Sequence, residues 1–301
     1  MLEVKNLVKV YKNVVAVDGI SFTVKQGKIF GLLGPNGAGK TTIMRMILNI
    51  IKPTKGEIIF EDKISNKEFL NEIGYLPEER GLYRKSKVID LLLYFASLKN
   101  MDRFSAKSEA INWLSKLGIK DLMNRKIEEL SKGNQQKIQF ISSVLHKPKI
   151  LVLDEPFTGF DPINQQEIKN YILEFVSTGK ILILSTHQMD TAEKLCSEIF
   201  LINEGKEICS GELSEIKRKF GGNYIRIGFD GDIQFLNHHQ QVLHREIYNN
   251  YADVHLSDDA NPYEFLKSII DKITITHFSV IEPSLNKIFI DKVNHSSGMV
   301  K

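Results

Sequence analysis

The chain opens on MLEVKNLVKVYK, where polar and apolar residues alternate; residues 2–10 and 20–24 read as strands by alternation and β-branched content. The rhythm then changes. KIFGLLG (28–34) is a short apolar run ending in glycine, the pattern of a buried strand. TTIMRMILNII (41–51) has helical spacing and is stopped by Lys52-Pro53. GEIIF (56–60) reads as another strand, and residues 87–118 as mostly helical, with Val88, Leu91, Leu92 and Phe95 on an apolar face. LSKGNQQK (130–137) begins a further helix: Ser131 is a candidate N-cap, and Ile138, Ile141, Val144 and Leu145 recur at helical spacing. Lys147-Pro148-Lys149 breaks that helix, and ILVLD (150–154) is a fully apolar strand apart from its last residue. A helix (about 162–177), a strand KILILST (180–186), a helix (about 188–196) and a strand EIFLIN (198–203) follow. Apolar strands separated by helices predict a parallel sheet covered on both faces.

Near residue 220 the pattern shifts. IKRKFGGN (216–223) is basic and then glycine-rich, and reads as a linker. NYIRIGF, VLHREIY and YADVHL then alternate as strands; NPYEFLKSIIDK starts a helix at an Asn-Pro pair; ITITHFSV is a strand and SLNKIFIDKV a last helix. The expectation is one α/β domain over 1–218 and a small α+β domain over 222–301. No internal repeat or low-complexity tract is visible.

Composition adds little. With 42% hydrophobic and 26% charged residues the chain is of ordinary globular type. A net charge of +3 gives no footprint for nucleic acid or an anionic membrane. Cys196 and Cys209 show no metal-ligand pattern, and His238-His239 reads as surface. The N-terminus has no apolar signal core, and runs such as VIDLLLYFA are far short of the roughly 20 residues that span a bilayer.

Chemistry enters with GPNGAGKT (34–41), which fits G-x-x-x-x-G-K-[ST] between a predicted strand and a predicted helix. Gly34, Gly37 and Gly39 let backbone N–H groups fold around phosphates, and the helix N-terminus adds its dipole. Lys40 supplies a charge to the β- and γ-phosphates, and Thr41 a hydroxyl to Mg²⁺. ILVLDEP (150–156) supplies the acids at a strand's C-terminal end. Asp154 is placed to hold Mg²⁺ through water, which leaves Glu155 free to take a proton from an attacking water. The Ser131 helix start is then a second potential anion site in a chain that already has one.

GPNGAGKTT (34–42), LSKGNQQK (130–137), ILVLDEP (150–156), TGFDP (158–162) and LSTH (184–187), in this order and spacing, resemble the ATP-binding subunits of ABC transporters over about residues 1–216. GYLPEERGLY (74–83) and PSLNKIFIDKV (283–293) resemble the branch associated with sodium or drug export. The resemblance implies an ABC-type P-loop NTPase: a mostly parallel core sheet, an antiparallel β subdomain and a helical signature subdomain at about 84–147. It implies an enzyme that converts ATP and water to ADP and phosphate with Mg²⁺. Tyr11 falls where the family sets a ring against adenine, and Gly34, Asn36, Gly37, Ala38, Gly39, Lys40, Thr41 and Thr42 at its phosphate loop. Glu155 matches the general base and His187 the switch histidine at the γ-phosphate. Asp161 matches the loop that communicates across a dimer. Ser131, Gly133 and Asn134 match the signature that contacts the ATP held by a second subunit. The family pattern also implies a homodimer or paired subunits, and a separately encoded membrane permease met by residues around 78–100. That places the protein on the cytoplasmic face of the cell membrane, with no nucleic-acid partner.

Three positions depart from the family. Glu78 stands where glutamine usually contacts the metal or water, and could still reach the metal as an anion. Lys132 replaces the first signature glycine and Asn134 the glutamine. The C-terminal domain reads as a dimerisation or packing module, or alternatively as a regulatory ligand-binding one. The competing function is a non-transport ABC ATPase of DNA repair or the ribosome. Such proteins usually carry coiled-coil insertions, zinc motifs or two ATPase domains, and none is seen here.

Overall fold

The computed structural model describes residues 1–296 apart from 62, 65–68, 80, 222 and 258. Gly222 of the expected linker, Arg80 of GYLPEERGLY and the end of the expected C-terminal domain (297–301) lie outside the described residues. The chain divides into two compact units, Met1–Ser210 and Gly211–Lys301.

In the first unit, β1 (Leu2–Tyr11), β2 (Val14–Val24), β4 (Lys55–Phe60) and β5 (Lys63–Ile64) form an antiparallel sheet in the order β2-β1-β4-β5. A second sheet runs β10-β9-β3-β8-β7-β6, from β3 (Ile29–Leu33), β6 (Ile73–Leu76), β7 (Ile150–Asp154), β8 (Ile181–Thr186), β9 (Glu198–Asn203) and β10 (Lys206–Glu212). Its β9-β3-β8-β7-β6 part is parallel, as the continuous apolar strands predict. The helices are α1 (Lys40–Ile47), α2 (Val88–Leu98), α3 (Arg103–Lys116), α4 (Lys132–Val144), α5 (Pro162–Ser177) and α6 (Met189–Leu195). The core closes where the two sheets meet: Phe22 stacks on Phe30 at 4.9 Å and tilts against Phe200 at 5.1 Å. Such pairs add about 0.5–1.5 kcal/mol beyond area burial. Helices α2, α3 and α4 pack on one another, and Trp113 of α3 packs its ring against Phe140 of α4 at 6.0 Å and Tyr171 of α5 at 5.4 Å.

The second unit holds α7 (Leu213–Gly221), β11 (Tyr224–Asp230), β12 (Val242–Ile247), β13 (Tyr251–Leu256), α8 (Pro262–Ile269), β14 (Thr274–Val280) and α9 (Leu285–Ser296). Its sheet is antiparallel, ordered β12-β13-β11-β14. Asn261 caps α8 by accepting the Tyr263 N–H at 2.8 Å, as the Asn-Pro pair predicts.

Several expectations change. Most of the supposed linker is helix: α7 runs to Gly221, with Leu213 and Ile216 buried, and the contact boundary falls at Ser210/Gly211 instead of 218–222. Helix α1 stops at Ile47 instead of 51, because Leu48 closes it and Asn49 turns to a φ of 52°. Strands β6 and β10 were not anticipated. His239 is half-buried against Phe265, its rings 4.8 Å apart, and pairs with Ser268 Oγ, so only His238 is a plain surface residue.

Candidate functional site: a phosphate-loop cavity at the ends of three parallel strands

Strands β3, β7 and β8 are parallel neighbours, so their C-terminal ends present adjacent residues: Leu33 lies beside Thr186, and Asp154 beside Ser185. The phosphate loop leaves β3 and enters α1. Gly39 caps α1 at a φ of 109°, and a Cβ there would stand 2.7 Å from the Ala16 carbonyl oxygen. A Cβ on Gly34 would lie 2.1 Å from the Ile202 carbonyl oxygen. Both positions therefore exclude every other residue.

Lys40 is 6% exposed and donates to the carbonyls of Gly34 at 2.8 Å and Pro35 at 3.1 Å. Burial lowers its pKa, opposed by the charges of Glu155, Asp154 and Glu78. Asp154 accepts from Thr41 Oγ1 at 3.3 Å and from the buried Ser185 hydroxyl. Burial raises its pKa, opposed by those two hydrogen bonds. Glu155 has a φ of 48°, a left-handed conformation costing roughly 1–2 kcal/mol. Its surroundings hold it there. The Glu155 N–H donates to Ser185 O at 3.1 Å. Its Oε2 accepts from Thr186 Oγ1 at 3.0 Å, and its Oε1 from the His187 N–H at 2.8 Å and Nδ1 at 2.7 Å.

Lys40, Thr41, Asp154 and Glu155 line a cavity of about 230 Å³ with Ala16, Asn36, Gly37, Gly39, Thr42 and Glu78. That is below the roughly 300–1,000 Å³ of pockets that enclose a whole small ligand. The cavity fits an anionic end group and leaves the rest of a ligand outside. Outside it lies Tyr11, 42% exposed at the β1–β2 hairpin, its ring under the Lys9 ammonium at 5.0 Å.

Of the expected site residues, Asn36, Gly37, Gly39, Lys40, Thr41, Thr42, Glu78, Asp154 and Glu155 come together in this cavity, and His187 joins through Glu155. Gly34 joins through Lys40, and Ala38 is buried beneath the loop. Tyr11, Ser131, Gly133, Asn134 and Asp161 are not among its lining residues. Ser131 caps α4, its Oγ accepting the Asn134 N–H at 3.3 Å. Asp161 caps α5, accepting the N–H groups of Ile163 at 3.0 Å and Asn164 at 2.9 Å, and the Asn164 bond leads in lowering its pKa. The signature stretch and the Asp161 loop meet each other: Gln136 donates to the Thr158 carbonyl, and Lys137 pairs with Glu167 at 2.8 Å.

Three supporting residues were not picked out from the sequence. Ser185 and Thr186 lie inside LSTH, where hydroxyls at the end of an apolar strand were a usable signal. Gln139, 5% exposed, interrupts the apolar face of α4 and donates to the carbonyls of Pro77 at 3.2 Å and Glu79 at 3.0 Å.

A glycine-rich loop between a parallel strand and a helix, with a buried lysine and strand-end acids, defines a P-loop nucleotide site on an α/β sheet. Residues 17–158 match the family model described as ABC transporter, and residues 211–293 the model described as ATP-binding protein DrrA1-3-like, C-terminal domain. The chain is 43% identical over 293 residues to the uncharacterised ABC transporter ATP-binding protein YhaQ of Bacillus subtilis, covering 97% of this chain and 98% of that one. It is 29% identical over 303 residues to the linearmycin resistance ATP-binding protein LnrL of the same organism, covering 97% of each. A solved ATP-binding subunit of an ABC transporter superposes with a TM-score of 0.69 at 27% identity, covering 73% of this chain and 93% of that one. The chain belongs to the family of ABC transporter ATP-binding proteins.

Proposed function

We propose that the protein binds and hydrolyses ATP to power a separately encoded membrane permease, as one half of a pair of head-to-tail subunits. The observation that carries this is the convergence of Lys40, Thr41, Asp154 and Glu155 in one cavity at the ends of β3 and β7. Lys40 would exchange its loop carbonyls for phosphate oxygens. The donor set fits Mg²⁺: the Thr41 hydroxyl and the Asp154 carboxylate are already 3.3 Å apart, with Glu78 on the same cavity. When bound, the ion neutralises phosphate charge.

Glu155 acts as general base. A carboxylate offers about four lone-pair directions. Thr186 and the two nitrogens of His187 occupy three of them, which leaves one for a proton from water. These donors also fix the carboxylate's direction, which proton transfer requires. Tyr11 stacks adenine, and Ser131 and Gly133 of the second subunit, with Asn134, close on the γ-phosphate. His187 contacts the γ-phosphate, and Asp161 communicates across the dimer.

Two observations support a membrane partner. Among the described residues no helix is long and apolar enough to cross a membrane. Residues 78–100 expose Tyr83 (57%), Tyr94 (45%) and Leu98 (57%) beside a cavity of about 260 Å³ that includes Pro77, Leu82 and Phe95. Export is the direction suggested by the resistance role in LnrL's name. The test is Glu155→Gln. Turnover is expected to fall by about 10²- to 10⁴-fold, with ATP binding kept and an ATP-dependent dimer accumulating in size-exclusion chromatography. Persistent turnover, or a monomer at saturating ATP, overturns the reading.

A further inference from the structure

Gln139 stands two turns into α4, about 12 Å along the helix from the Ser131 cap at a rise of about 1.5 Å per residue. It is a buried polar side chain in a helix whose neighbouring positions, Ile138, Phe140 and Ile141, are apolar and buried. Its one amide group donates twice, to Pro77 O at 3.2 Å and Glu79 O at 3.0 Å. Those carbonyls flank Glu78, the carboxylate on the phosphate cavity. Among the described residues, the other side-chain hydrogen bonds of α4 run to its own turns or to Leu117, Ile127, Leu130 and Thr158, none of them in the Glu78 segment.

We propose that Gln139 is a positioning residue, which fastens the Glu78 segment to the helix that carries Ser131. The inference rests on the reading of Glu78 as part of the nucleotide site. Glu78 follows Pro77, is exposed, and among the described residues meets no helix or strand on its C-terminal side before α2. Backbone of this kind takes its position from whatever binds its carbonyls. Here both bonds end on a rigid helix. Movement of Glu78 on nucleotide binding is therefore passed to α4, and the Ser131 end moves with it. Gln139 is not among the residues that line the phosphate cavity and acts through Glu78.

The experiment uses the full chain with Gln139→Met, Glu78→Ala and the double substitution. Methionine keeps length and volume and removes both donors. Conformational exchange of the Pro77 and Glu79 carbonyls without nucleotide, read by relaxation dispersion, is expected to populate the displaced segment about 10-fold more in Gln139→Met, the loss of hydrogen bonds of ordinary strength. Ser142→Ala, on the same helix and lining the cavity of about 260 Å³ beside Gln139, leaves it unchanged. In steady-state turnover, Gln139→Met is expected to lower kcat at least about 5-fold with KM for ATP little changed, and to add nothing in the Glu78→Ala background. Additive losses, unchanged exchange, or a kcat deficit removed by cooling below a lowered Tm would each make Gln139 a packing residue and overturn the proposal. Absence of turnover in the wild type overturns the ATPase reading instead, and the exchange result still decides the tether.

Discussion

At the phosphate loop, α1 begins at Gly39 with no side-chain cap, and Lys40 folds back on the loop carbonyls of Gly34 and Pro35. At the signature stretch, α4 begins at Ser131, whose hydroxyl already accepts the Asn134 N–H. Both are helix N-termini with a partial positive charge. The first leaves its N–H groups open to an anion inside a cavity walled by the loop itself, the start of α1 and the acids at the end of β7. The second is closed on itself and lines no phosphate cavity of its own chain. The difference teaches that a glycine cap keeps a site for the chain's own ligand, whereas a serine cap can be self-satisfied until an external acceptor competes for it.

The largest effect that would test this contrast comes from two substitutions read together. Lys40→Ala removes the only cation among the described residues that line the cavity and should weaken ATP binding to the isolated chain on the order of 100-fold or more. Ser131→Phe removes a cap worth about 1 kcal/mol but leaves the cavity whole. Calorimetric ATP affinity should therefore stay near the wild-type value while turnover is lost. If Ser131→Phe abolished binding to the monomer, the two helix ends would belong to one site and the contrast would collapse.

A smaller effect concerns how α4 is anchored beyond its far end. His146 Nε2 donates to the Ile73 carbonyl at 3.0 Å, which joins the α4 segment to β6. Burial first, and the charge of Lys99 second, lower its pKa from 6.5 to about 4. Below pH 6.5 the unfolded chain takes up a proton that the folded chain refuses until about pH 4. Stability should thus fall as pH drops through that window, by at most about 1.4 kcal/mol per pH unit. His146→Gln should flatten this part of the urea-melt pH profile. An unchanged slope would show that the anchor is not a neutral imidazole.

The two regions also differ in how much the sequence disclosed. The phosphate loop was legible because its residues are consecutive and its glycines answer a local demand for positive φ and close approach. Asp154 and Glu155 were legible because a run of apolar residues ending in two acids is a strand end. What holds Glu155 was not: Thr186 and His187 reach it only because β7 and β8 are neighbours in the sheet, a long-range fact. Gln139 was missed for the same reason, since its partners lie in the segment just after a strand, β6, that was itself overlooked. The linker was misread because Lys, Arg and Gly were weighed above Leu213 and Ile216, whose burial favours the helix.

The smallest expected effect separates Lys132 from the signature chemistry. Lys132 is the first residue of α4 and is exposed, with no side-chain hydrogen bond or ion pair among the described residues. The family pattern that the sequence resembles has glycine there, which implies that no side chain is required for contact with phosphate. Lys132→Gly should cost no more than about 1 kcal/mol in stability, the helix penalty of glycine, and leave turnover within about twofold, as expected of a surface position. A fall in turnover beyond tenfold, steeper at low salt, would place the Lys132 ammonium beside the partner's phosphates. The signature end would then resemble the phosphate loop in carrying its own cation, and the contrast between an open and a self-capped helix would no longer be what divides their labour.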